Sequence, residues 1–182
     1  MNGPTPLVDE LLALASGSGL SSPARAAVPG CGYGHDAVRL AALGFQVTGV
    51  DFAPLAIAGA RTRYGEAVTW AVADWLQDPF PPFDLILDHT CFVAFEPNQQ
   101  AALVAAHADR LRPGGLWLGA FFRSVPAPGV PPFAISEGEV RALAEGRFDI
   151  LHLAPALSSH RARAGREFLL VARRPEGPAT AA

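Results

Sequence analysis

The chain has 182 residues, of which 50% are hydrophobic and 17% charged. That suits one α/β domain with a full core and excludes a disordered chain. Its formal net charge of -3 provides no basic field to recruit nucleic acid, and no apolar run is long enough to span a bilayer.

The opening predicts a helix. Thr5 caps it, Pro6 takes its first position, and Leu7, Leu11, Leu12 and Leu14 form an apolar stripe that ends at Gly17-Ser18-Gly19. Ala26 to Val28 is a short strand running into a Gly-rich turn, and His35 to Leu43 a helix with Val38, Ala41 and Ala42 along one side. Strands follow at 46–50, 68–72 and 83–87, with a helix at 54–63 between the first two. Asn98 to Leu111 is a long helix stopped by Arg112-Pro113-Gly114-Gly115, and Leu116 to Phe122 a fifth strand. Ser136 and Glu139 form a capping box for a helix reaching Ala144. Phe148 to Leu153 and Glu167 to Ala172 are two strands with no helix between them, so they should pair antiparallel. The alternation predicts an α/β fold, a mostly parallel sheet with helices on both faces and a C-terminal antiparallel hairpin. Residues 1–174 should form a single domain and 175–182 a flexible tail. The N-terminus lacks the basic and apolar regions of a signal peptide, and Cys31 and Cys91 lie outside any CxxC pattern. A reduced, cytoplasmic protein is expected.

The chemistry begins at Val28-Pro29-Gly30-Cys31-Gly32-Tyr33-Gly34. Glycines at a strand-to-helix turn bend the backbone and let a ligand approach where a Cβ would collide, although a tight structural turn needs them too. Asp51 ends the next strand, where a carboxylate can accept from both hydroxyls of a ribose or cap the helix that starts near Pro54. The third glycine comes one residue earlier than in GxGxxG, which argues against a bound pyrophosphate. Asp74 and Trp75 follow the third strand, where they can hold and cover an adenine or simply pack the core. Asp88-His89-Thr90-Cys91-Phe92 ends the fourth strand, so four polar or Gly-rich strand ends point to one crevice.

This pattern resembles the class I methyltransferases, and more closely the thiopurine S-methyltransferase family, which includes thiol and halide methyltransferases. The matching stretches are Val28 to Asp36, Gly49-Val50-Asp51, Phe83 to Thr90, Leu111 to Gly115, Gly129 to Phe133 and Arg163 to Glu167. Val28-Pro29-Gly30-Cys31-Gly32 and Pro131-Pro132-Phe133 are its most specific parts. The resemblance implies a Rossmann-like, seven-stranded sheet binding S-adenosylmethionine across Gly30, Cys31, Gly32, Asp51, Phe52, Asp74 and Trp75. It also implies that Asp88 lies near the cofactor's amino group and that Asp36 ties down the Gly-rich loop or the methionine end. Family members carry an N-terminal segment with a Trp that closes over the cofactor, ahead of a stretch like Gly3-Pro4-Thr5-Pro6-Leu7. This sequence starts almost at that point, so either more chain precedes it or the site is more open than is typical.

Methyl transfer from a sulfonium chiefly demands alignment and exclusion of water. The absence of a metal cluster, of suitably spaced paired carboxylates and of a nucleophile with an obvious base suits a small, soft acceptor. A thiol, hydrosulfide, halide, or selenium or tellurium species is expected. His89 is the candidate for facing that acceptor, as a base or hydrogen-bond donor, unless backbone groups satisfy it. Arg123, past the fifth strand, is the candidate for attracting an anion, against the alternative of a surface charge. Phe92, Phe122 and Phe133 either line an apolar pocket or pack the core. His107 shares a helix face with Leu103 and Leu111 and reads as structural. His160, Arg161, Arg163 and Arg166 form a basic cluster that is either a solvated face or an anion-drawing lid. Two rival functions are a nicotinamide-dependent oxidoreductase and a methyltransferase-like module that binds cofactor without turnover.

Overall fold

A computed structural model describes residues 3–20 and 23–177. Seven strands form one sheet: β1 (Arg25–Pro29), β2 (Gln46–Asp51), β3 (Thr69–Val72), β4 (Phe83–His89), β5 (Leu111–Phe122), β6 (Asp149–Pro155) and β7 (Glu167–Arg173). Their spatial order is β3-β2-β1-β4-β5-β7-β6. The first five run parallel, and β7 lies antiparallel between β5 and β6. The expected terminal hairpin therefore exists, with its second strand inserted into the sheet and its first left at the edge.

Both faces of the sheet are covered, which explains why its central strands read as continuous apolar runs. Side chains alternate between two cores with the period of two that a strand imposes. Ala27, Ile86 and Trp117 point to one side, while Ala26, Val28, Leu85, Leu87, Leu116 and Leu118 point to the other. The first core is closed by α4 (Pro97–Arg110) and α5 (Glu137–Ala144), the second by α1 (Leu7–Leu14), α2 (His35–Ala42) and α3 (Pro54–Tyr64). Pro54 and Pro97 sit in the first turns of their helices, where a missing N–H costs nothing. The capping box of α5 is complete: the Glu139 amide donates to Ser136 Oγ, and the Ser136 amide donates to the Glu139 carboxylate. The Ser136 hydroxyl, at 2.6 Å, and the Ser136 amide, at 2.8 Å, both donate to the Glu139 carboxylate and hold its carboxyl below its usual range.

Four local expectations are corrected. The buried stripe of α1 is Leu7, Val8 and Leu11, continued by Ala15, while Leu14 is exposed. Pro6, not Thr5, stands at its N-cap, while Thr5 Oγ1 accepts from the Leu7 amide at 3.4 Å and the Thr5 amide donates to Asp36 Oδ1 at 2.8 Å. In α2 the buried positions are Ala37 and Leu40, and Ala42 faces water. Strand β5 begins at Leu111 rather than Leu116. The Gly114 amide donates to the Arg174 carbonyl and the Arg174 amide to the Gly115 carbonyl, which extends the ladder through the Pro-Gly-Gly stretch. The expected tail lies outside the described residues from 178 onward, and among the described residues no helix is long and apolar enough to cross a membrane.

Candidate functional site

At the carboxyl end of β1 the chain turns through Gly30, Gly32 and Gly34, all at positive φ (59°, 53° and 80°). Each needs its missing Cβ for a different reason. At Gly34 a Cβ would stand 2.3 Å from the Trp70 ring, and at Gly30 it would stand 2.9 Å from Cys91 Sγ. These two glycines let the loop pack. At Gly32 a Cβ would meet nothing within 4 Å, so this turn faces open space, as a ligand cradle must. The Cys31 amide donates to the Val50 carbonyl and the Gly32 amide to Asp51 Oδ2 at 2.9 Å, which fastens the loop to the end of β2. Burial pushes the Cys31 thiol up to about 12, with the Asp51 charge adding to it. Cys91, completely buried, is raised as well. Both are inert packing thiols.

Asp51 reconciles the two readings its position allowed. Oδ1 accepts from the Ala53 amide at 2.9 Å, at the N-cap of α3, while Oδ2 accepts from Gly32. Two amides leave a carboxylate with lone pairs to spare, and they fix it at the wall of a 540 Å³ cavity shared with Gly30, Phe52, Asp74, Phe95 and Gln99. Phe52 is 81% exposed beside it, the ring available to lie on a flat ligand. Asp74 Oδ1 accepts from the Leu76 amide at 2.8 Å, holding the turn after β3.

Trp75 follows its structural alternative. Its ring is buried against Phe80 and Phe83, and its N–H donates to His107 Nδ1 at 2.9 Å. Because Nδ1 accepts, the His107 proton is on Nε2, which donates to Asp88 Oδ2 at 3.0 Å. Asp88 Oδ1 accepts from the Phe92 amide at 2.9 Å. Asp88 is thus corrected: it is wholly buried behind the crevice, with both oxygens engaged by protein, and braces the β4 end.

The next residue faces the other way. His89 Nδ1 lies 2.7 Å from Asp36 Oδ2, and its Nε2 lies 3.5 Å from Arg163 Nη1. Asp36 therefore joins α2 to β4 and to the Thr5 amide, and makes no bond to the Gly-rich loop in front of it. Thr90 then turns at φ 67°, a left-handed conformation that costs a non-glycine residue about 1–2 kcal/mol. Such strain persists where the surroundings over-determine it, often at sites. Thr90 lines the 540 Å³ cavity, a second of 450 Å³ and a third of 210 Å³, and so stands where the three meet.

The second cavity is walled by Phe122, Pro131, Pro132, Arg163 and Arg166. The Arg163 guanidinium lies 5.1 Å over the Phe122 ring and 3.4 Å from Glu167 Oε1. Arg123, the arginine expected here, is instead paired with Glu137 at the start of α5 and does not line this cavity. Of the three phenylalanines only Phe122 lines it, whereas Phe92 and Phe133 are buried packing.

A family model described as "Methyltransferase domain" matches residues 29–115, the stretch that builds this cradle. That match covers just under half of the chain, and the seven-stranded sheet has the fold of the class I methyltransferases. An N-methyltransferase, NodS from Bradyrhizobium japonicum WM9, solved with S-adenosyl-L-homocysteine, superposes with a TM-score of 0.75 at 23% identity. The match covers 94% of this chain and 89% of that one. Magnesium protoporphyrin IX methyltransferase from Synechocystis PCC 6803, also with the homocysteine product bound, gives 0.75 at 19% identity over 92% and 82%. Among sequences, a probable thiol methyltransferase 2 of Arabidopsis thaliana is 30% identical over 75% of this chain and 61% of its own length. Thiocyanate methyltransferase 1 of the same plant is 32% identical over 61% and 52%. The chain thus spans between half and two thirds of the length of the curated relatives it matches.

Proposed function

We propose that this chain is an S-adenosylmethionine-dependent methyltransferase acting on a small, soft nucleophile: a thiol, hydrosulfide, halide, or selenium or tellurium species. The observation that carries the reading is the meeting, at Thr90, of two unlike cavities. One has an anchored aspartate and an exposed aromatic ring, and the other an apolar and cationic wall without a carboxylate. The residues fit the cofactor. Gly30, Cys31 and Gly32 would leave room for its backbone approach, Asp51 would accept from the ribose hydroxyls, and Phe52 and Asp74 would take the adenine. When bound, S-adenosylmethionine supplies a methyl group on a positively charged sulfur. The protein's own work is then to hold the acceptor in line, to exclude water and to steer an anion. Arg163 and Arg166 supply the positive field and Phe122 with the Pro131-Pro132 pair the dry wall.

The names of the thiol and thiocyanate methyltransferase relatives support the same acceptor class. The Val28-Pro29-Gly30-Cys31 opening and the Pro131-Pro132-Phe133 segment support the thiopurine methyltransferase branch. Two free, buried or half-buried cysteines suit a reducing cytoplasm. The test has two parts. Thermal stabilisation by S-adenosylhomocysteine, with none by NAD or NADP, is expected. Methylated product should then appear in a headspace and solution screen over bisulfide, small thiols, iodide, selenite, tellurite and a thiopurine. Stabilisation by the nicotinamide cofactors alone would overturn the reading, and tight S-adenosylhomocysteine binding with no product from any acceptor would leave a non-catalytic binding module.

A further inference from the structure

We infer that Asp36 and His89 form a proton-accepting dyad serving the acceptor cavity, so that the preferred acceptor arrives as a neutral thiol and is ionised in place. This rests on the methyltransferase reading above and narrows its acceptor class.

The geometry assigns the roles. Asp36 Oδ2 lies 2.7 Å from Nδ1 of His89, so Nδ1–H donates to the carboxylate and the Nε2 lone pair is left as the acceptor. Asp36 is itself held by the Thr5 amide at 2.8 Å, which fixes the ring's orientation from behind. Arg163, which lines the acceptor cavity, is the group that Nε2 faces, at 3.5 Å. That is a long contact, weaker than an ordinary hydrogen bond, and an S–H donor entering beside Thr90 can replace it. A base held by a carboxylate, aimed at a cavity and covered only by a loose cationic side chain is what thiol ionisation requires.

The surrounding charges agree. Asp36 from α2 stabilises the imidazolium that forms when Nε2 takes a proton. Arg163, from the connection before β7, opposes that charge but stabilises the thiolate produced next to it, and Glu167 of β7 lies 3.4 Å behind Arg163. His35, lining the same 210 Å³ cavity as His89, is occupied by the Tyr64 hydroxyl at 2.6 Å. Cys31, also lining it, is held as a neutral thiol. Asp88, next in β4, points to the opposite core and pairs with His107. His89 itself lines the 210 Å³ cavity, which meets the acceptor cavity at Thr90, and it reaches the acceptor side through Arg163; the described lining of the acceptor cavity contains no carboxylate or histidine of its own.

The step balances without a co-reactant beyond the methyl donor. The S–H proton passes to Nε2, and the sulfur's electron pair forms the new bond to the methyl carbon. The old carbon–sulfur bond breaks with its pair remaining on the departing sulfur, and the imidazolium releases its proton to water. An alkyl thiol is only about a few per cent ionised at pH 7, whereas iodide needs no base. The dyad therefore matters for one acceptor and not for the other.

The test compares the two acceptors in the wild type, His89→Gln and Asp36→Asn. The expected result is a fall of about 10²-fold in the thiol-to-iodide ratio of kcat/KM for His89→Gln. Asp36→Asn should fall less, and in His89→Gln the thiol rate should follow the fraction of thiol ionised in solution, climbing with pH up to the thiol's own alkaline pKa, while the iodide rate stays flat. A readout independent of turnover is the ultraviolet absorbance of bound thiolate in the S-adenosylhomocysteine complex at pH 7. It should be present in the wild type and lost in His89→Gln. An unchanged ratio, with thiolate absorbance retained, would overturn the dyad while leaving the methyltransferase reading intact. A wild type that methylates neither acceptor and does not bind S-adenosylhomocysteine would overturn both.

Discussion

The two cavities that meet at Thr90 are built by different means. The one beside Asp51 is made of backbone. Glycines at positive φ, an amide-anchored carboxylate and turns held by their own aspartates all lie within a few residues of a strand end. The one beside Arg163 is made of side chains brought from across the sequence: Phe122 and the Pro131-Pro132 pair meet Arg163 and Arg166, and Arg163 in turn reaches His89 over 74 positions. A locally built, backbone-fastened site is rigid and suits a cofactor that is always the same. A site assembled from long side chains is free to vary with its acceptor.

The largest break in this contrast should come from the loop glycines. Gly34→Ala puts a Cβ 2.3 Å from the Trp70 ring at φ 80°. Overpacking and the left-handed backbone together should remove about 3 kcal/mol of stability. Gly32→Ala suffers only the backbone term, about 1 kcal/mol, yet it fills the space in front of the turn and should weaken S-adenosylhomocysteine more than it weakens the fold. Urea unfolding and calorimetry on both variants separate the two roles, and equal effects on both quantities would merge them.

Asp51→Ala is next. Losing two charge-assisted bonds to a ribose should cost about 100-fold in S-adenosylhomocysteine affinity, some 2.7 kcal/mol, while the circular dichroism spectrum of the folded protein persists. An unchanged Kd would remove Asp51 from the site.

How far the sequence reveals each region follows from the same contrast. The order and type of the strands, the parallel sheet with its antiparallel end, the cradle and Asp51 depend on local pattern, and they are legible. Trp75 and Asp88 sit at the right strand ends but face the α4 core, where His107 takes both. For Asp88 the signal is available: it shares the parity of Ile86 in β4, whereas His89 shares that of Leu87. Arg123 and Arg163 carry no such signal. Both are arginines near the carboxyl edge, and only the placement of Glu137 on α5, beyond the reach of any periodicity, decides which one is taken up elsewhere. Thr90 and Phe95 are missed because a left-handed threonine and a loop aromatic have no repeating pattern to mark them.

Cys31 gives a smaller effect of defined sign. Its thiol is raised from 9.0 to about 12 in the folded protein. Between those values the unfolded chain binds fewer protons than the native one, so stability falls as pH rises, and it is fully present below about 9. Raising the pH from 9 to 10 should cost the wild type about 1 kcal/mol more than Cys31→Ala, read as the difference between their unfolding midpoints. A parallel pH dependence in the two proteins would mean that the cradle does not shield this thiol, and would weaken the picture of a closed backbone turn.

The smallest effects come from the two arginines, and their difference is the sharpest statement about the acceptor side. Arg163 lines the cavity over Phe122 and faces His89, so Arg163→Gln should raise KM for an anionic thiol about fivefold, near 1 kcal/mol of lost attraction. Arg123 is a third exposed and tied to Glu137, itself about a third exposed. A surface pair of that kind contributes about 0–1 kcal/mol to stability, and Arg123→Gln should leave the acceptor KM within about twofold of the wild type. Steady-state kinetics on the two variants at low salt, with iodide as the already ionised acceptor in place of the thiol, decides between them, since screening weakens a steering charge first. If Arg123→Gln raises KM while Arg163→Gln does not, the cationic wall of the acceptor cavity has been assigned to the wrong side of β5.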